Sequence, residues 1–87
     1  MPTSSIGRKN SKLWVNEALL AGGKQLTTRQ TIDWIKVNRP VPISDFATLT
    51  KRGDENVFCR EIRFARIDLK AEGIIHDRAG RGIWTLC

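Results

Sequence analysis

The chain has 87 residues, 40% of them hydrophobic, with a formal net charge of +6 and a pI near 10.0. A chain this short makes one domain at most and buries only about 60 to 65% of its unfolded surface, which excludes a multidomain architecture and a large core. The basic balance favours polyanionic partners, but nine Lys/Arg against five Asp/Glu over residues 1–55 and six against four over 56–87 leave neither part a basic tail, so the arrangement of charge on faces has to decide.

Residues 1–11, MPTSSIGRKNS, hold almost no apolar side chains and are expected to form a flexible basic arm, with Arg8 and Lys9 able to follow a phosphate backbone. The folded domain is expected over 12–87. Ser11 reads as the cap of a first helix running to Ala21, with Leu13, Trp14, Val15, Ala18, Leu19 and Leu20 as a broad apolar face and Gly22-Gly23 as the stop. Thr27-Thr28-Arg29-Gln30 fits a capping box, so a second helix should run to Asn38, burying Ile32 and Ile35 and ending where Pro40 restricts Arg39. Ser44 opens a short third piece in which Ile43, Phe46 and Leu49 share a spacing of three. Lys51 to Asn56 is a polar loop, and Asp54, Glu55 or Asn56 caps a long helix behind it.

That long helix carries most of the information. Over Val57 to Glu72, Phe58, Ile62, Ala65 and Leu69 recur at spacings of four, three and four and make a core stripe. Arg60, Arg63, Arg66 and Lys70 line an adjoining sector, while Glu61, Asp68 and Glu72 gather elsewhere. Gly73 supplies a left-handed stop. Residues 74–77 and 83–86 then read as two strands of a hairpin around Arg78-Ala79-Gly80-Arg81-Gly82.

Catalytic chemistry needs a nucleophile with a base, a carboxylate cluster, a metal set or a phosphate cradle, and none is legible. His76 is the only histidine and lies in an expected strand, where a structural role fits it. Cys59 and Cys87 lack metal or redox spacing and read as reduced thiols. No catalytic residue, metal ligand or cofactor is therefore expected. No apolar run approaches the roughly 18 residues of a membrane span, and no secretory leader is evident, so a cytoplasmic protein without membrane association is the expectation.

A helix with sorted cations followed by a basic hairpin is a pattern for duplex DNA. The helix fits the major groove, where arginine can bond guanine through two atoms, and the hairpin tip can lie on the neighbouring backbone. Arg60, Arg63, Arg66 and Lys70 on the helix, Arg78 and Arg81 at the tip, and Arg8 and Lys9 in the arm are the candidate DNA-binding residues. The plainer reading of the helical stripe is an ordinary solvated face.

The motifs Glu55-Asn56, Arg63-Phe64-Ala65-Arg66, Leu69-Lys70, Glu72-Gly73-Ile74-Ile75 and Arg81-Gly82-Ile83-Trp84-Thr85-Leu86 together resemble the N-terminal winged-helix domain of the Mrr-like restriction proteins. The match covers about the last third of the chain; residues 12–50 agree in element order only. The resemblance implies a mainly α winged helix-turn-helix, with three to four helices and a two-stranded wing. It also implies DNA recognition without cleavage, any nuclease activity lying in a separate effector domain. The alternatives are a winged helix used for protein interaction or homodimerisation, through exposed Phe64 and Trp34 or through the first helix, and a free-standing transcriptional regulator. Recognition of modified bases has no support from the sequence, which shows no aromatic cage.

Overall fold

A computed structural model describes residues 6–47 and 56–87. Its elements in chain order are α1 (Gly7–Ala21), β1 (Gln25–Thr27), α2 (Thr28–Asn38), α3 (Ile43–Ala47), α4 (Val57–Ala71), β2 (Ile75–His76) and β3 (Ile83–Leu86). The fold is mainly helical, with a small antiparallel sheet in the order β1-β3-β2. Among the described residues no helix is long and apolar enough to cross a membrane.

The stripe read from the sequence of α4 is the centre of the core. Phe58, Ile62 and Ala65 are fully buried and Leu69 nearly so. They meet Val15, Ala18 and Leu19 of α1, Ile35 of α2, and Ile75 and Trp84 of the sheet in one cluster. Phe46 of α3 joins it edge-on, its ring centroid 5.2 Å from that of Phe58. Asn56 caps α4, its Oδ1 accepting from the Cys59 amide at 2.8 Å. Gly73 follows with φ +76, a conformation that side chains with a Cβ avoid.

The capping box of α2 is present in both halves. Thr27 Oγ1 accepts from the Gln30 amide at 3.1 Å, and the Thr27 amide donates to Gln30 Oε1 at 3.0 Å. Arg39 ends the helix in an extended conformation, as the residue before a proline should.

Four expectations are corrected. The first helix begins at Gly7, so residues 7–11 are not an arm; Ile6 is buried and Arg8 and Lys9 are helical. Ser11 is no cap: it is a buried helical residue whose hydroxyl donates to the Arg8 carbonyl at 2.9 Å, one turn back. The apolar face of α1 is narrower than expected, because Leu13 and Leu20 are exposed, as is Ile43 in α3. Leu49 and the expected loop at 51–55 lie outside the described residues.

The fourth correction is the sheet. Residues 25–27, for which the sequence predicts no strand, form one, so β3 has a neighbour on each side and the hairpin is part of a three-stranded sheet. Leu26 stands opposite Trp84, and Ile75 opposite Leu86. The reach of β2 is also shorter than expected, two residues, because Asp77 to Gly82 are taken up by the turn.

Candidate functional site

On α4 the acidic and basic sectors meet different surroundings. Glu61 and Asp68 hold the Arg8 guanidinium of α1, through Nε at 2.5 Å and Nη1 at 2.7 Å, and Glu72 pairs with Lys12. These hydrogen bonds, Asp68 first and then Glu61, push Arg8 still higher than its ordinary value and keep it charged. Arg8 also lies over the Phe64 ring at 5.4 Å. The acidic sector is thus an interhelical seam that fastens α1 to α4, and Arg8 belongs to that seam. Lys9 is exposed on α1 and is not among the residues that line the cleft of Arg63, Arg66 and Arg81.

The basic sector converges with the turn after β2. Arg63, Arg66 and Ile67 of α4, Arg81 and Gly82 of the turn, Trp84 of β3 and Thr28 at the start of α2 line one cleft of about 270 Å³. Two devices fix its walls. The Arg66 guanidinium lies over the indole of buried Trp84, 5.9 Å from the ring centroid, an arrangement that favours the cation. The turn is tied to α2 by the Gly82 carbonyl, which accepts from the Thr28 amide at 2.9 Å and from its hydroxyl at 3.3 Å. Gly82 sits at φ +77, where a residue with a Cβ would be strained.

The remaining candidates do not share the cleft. Lys70 is exposed but pairs with Asp77 at 2.7 Å. The hydrogen bond from Lys70 holds the Asp77 carboxyl below its usual range, with a smaller contribution from the charge of Arg66. Asp77, although adjacent in sequence to Arg78, is therefore engaged by the helix. Arg78 is exposed outside the cleft, and its amide donates to His76 Nδ1 at 3.2 Å, which gives His76 a place in the turn. Arg60 is half-buried one turn before Arg63. Phe64 and Ile67 are 41% and 54% exposed on the outer face of α4. Trp34, expected to be exposed, is half-buried beneath the Arg39 guanidinium.

Of the residues that line the cleft, the sequence singled out Arg63, Arg66 and Arg81 but not Thr28, whose only local signal was its position directly after the Thr27 cap. It also gave Trp84 no part in the site, although Arg81-Gly82-Ile83-Trp84 is one of the motifs carrying the resemblance. Comparison of the chain with protein-family models, with curated proteins and with solved structures returns no match.

Proposed function

We propose that this protein is a winged-helix module that binds double-stranded DNA and performs no chemistry on it, with α4 in the major groove and the β2–β3 turn on the adjoining backbone. The observation that carries this reading is the convergence of Arg63 and Arg66 of α4 with Arg81 of the turn on one cleft. A solvated face alone would not bring helix and turn together; here a helix narrow enough for the groove and a turn that can reach phosphate contribute arginines to one cleft. The order helix, strand, two helices, long helix and paired strands supports a winged helix, with β1 as the third strand. The resemblance to the Mrr-like domain supports a place in a restriction-type or other DNA-processing system, with any nuclease in a separate domain.

A second reading is favoured by Phe64 and Ile67, two apolar side chains three residues apart on α4 that are both exposed. They fit a protein-interaction or dimerisation surface.

Fluorescence-anisotropy titrations against duplex DNA, single-stranded DNA and RNA at several salt concentrations test the two. Duplex binding should weaken with salt, with a log–log slope of roughly −2.7 if the three cleft arginines each neutralise one phosphate. Absence of duplex binding at low salt would end the DNA reading and favour the protein-interaction one.

A further inference from the structure

We propose that the cleft between α4, the β2–β3 turn and the start of α2 binds a phosphomonoester dianion, a ligand class distinct from the phosphodiester backbone. The inference rests on the duplex-binding reading for the choice of phosphate as the anion, and it assigns a ligand to the concave part of that face.

Three features of the cleft carry it. Arg63, Arg66 and Arg81 are among the residues that line it, and among the described residues no Asp or Glu is. The carboxylate of Asp77, which is close enough for the charge of Arg66 to be felt, is held by Lys70 at 2.7 Å. A diester has one negative charge and two free oxygens. A monoester carries about −1.5 to −2 at neutral pH and presents three terminal oxygens, one more than a diester offers. Size agrees as well: about 270 Å³ is just below the range of roughly 300–1,000 Å³ for drug-sized ligands, so a phosphate on a small ester fits.

The second feature is the apolar part of the lining. Ile67 and Trp84 form it, the first exposed and the second buried, so the Trp84 side of the cleft is shielded from water. The third is that Arg66 and the backbone carrying Arg81 are held in place before any ligand arrives. Arg66 lies over the Trp84 ring, and the turn that carries Arg81 is bonded to Thr28 through Gly82. Preorganised donors lose less freedom on binding.

The test uses the full chain without duplex. The arginine side-chain N–H signals are followed by NMR during titration with methyl phosphate or dimethyl phosphate at constant ionic strength. Methyl phosphate at about pH 8, above its second pKa near 6, should give saturable shifts at Arg66 and Arg81, with dimethyl phosphate at least about tenfold weaker. Arg66→Gln and Arg81→Gln should each weaken methyl phosphate by about tenfold, whereas Arg78→Gln, outside the cleft, should change it less than about twofold. Because the monoester preference is measured on the unaltered protein, the result stands even if a variant loses its fold. A single-stranded oligonucleotide with a 5′-phosphate, set against its 5′-hydroxyl form, separates the sources. Tighter binding of the 5′-phosphorylated strand than of both its 5′-hydroxyl form and methyl phosphate identifies a nucleic-acid end, and no gain over the 5′-hydroxyl form identifies a free phosphomonoester; either upholds the site. Equal affinity for methyl and dimethyl phosphate, or shifts that never saturate, overturns it. Duplex binding without monoester selectivity removes this inference alone, and monoester selectivity without duplex binding removes only the DNA reading.

Discussion

Lys70 and Asp77 join the last turn of α4 to the residue after β2 through a 2.7 Å ion pair, so one of the four cations of the helical stripe is matched within the fold. Replacing Asp77 with Asn releases that cation. If α4 binds duplex DNA, Asp77→Asn should tighten binding at low salt and steepen the log–log salt slope by up to about 0.9, the contribution of one more neutralised phosphate. Anisotropy titrations of parent and variant side by side measure both. An unchanged slope would mean that Lys70 does not face the duplex.

The same pair makes a prediction about pH. The folded Asp77 carboxyl lies below its ordinary 3.8 because Lys70 hydrogen-bonds the charged form. A depressed folded value means that the contribution is present above the unfolded value and is lost as pH falls through the folded one. The Tm difference between parent and Asp77→Asn should therefore be constant from neutral pH to about 5 and should close on acidification below about 3.8. A difference that persists unchanged to about pH 2 would show that it does not come from the ionised carboxylate. The pair is exposed, so the difference itself should be small.

Ile62 and Leu69 lie at the centre of the contact between α4 and the rest of the core. Truncation of either to Ala should destabilise the protein by roughly 2–5 kcal/mol, a large part of the total for a domain this small. Denaturant melts of the two variants check the value. Midpoints equal to the parent's would contradict the burial of the stripe.

Arg8 and Arg81 are expected to separate stability from binding. Arg8→Ala removes two ion pairs from the seam between α1 and α4, and since these are partly exposed the loss should be about 1 kcal/mol of stability, with duplex affinity changed less than about twofold. Arg81→Ala should leave the Tm nearly unchanged and flatten the salt slope by about 0.9. The reverse pattern, with Arg8→Ala weakening binding at unchanged stability, would return Arg8 to the role of a backbone-following cation.

The parts of this fold that are legible in the sequence are those fixed by local spacing. The stripe of α4, the cap at Asn56, the box at Thr27 and Gln30 and the left-handed Gly73 each depend on residues a few positions apart. What escaped depends on partners far along the chain. β1 is three residues long and mostly exposed, and it is a strand only because β3 lies beside it. Ser11 has the chemistry of a cap, but Ile6 and Arg8 find partners that carry the helix start back to Gly7, so its hydroxyl turns to a carbonyl instead. The segregation of Glu61, Asp68 and Glu72 was visible; that Arg8 and Lys12 answer them was not. The site divides in the same way, since the cations of α4 could be seen on a helical wheel while Thr28 joins them only through the folded turn.

The middle strand of the sheet is also the strand that comes after every other described element. Thr85 of β3 reaches Gln25 of β1 across a separation of 60 residues, and among the described residues β2 has no other strand partner. During synthesis the four helices can gather their apolar faces while both outer strands wait. Contacts this distant are slow to close, because the chain loses loop entropy before the pairing repays it. The cleft is completed in that same last step, since Arg81, Gly82 and Trp84 arrive with β3 or just before it. A nascent chain, or one cut within the 77–82 turn, therefore carries the α4 arginines without the surface that gathers them.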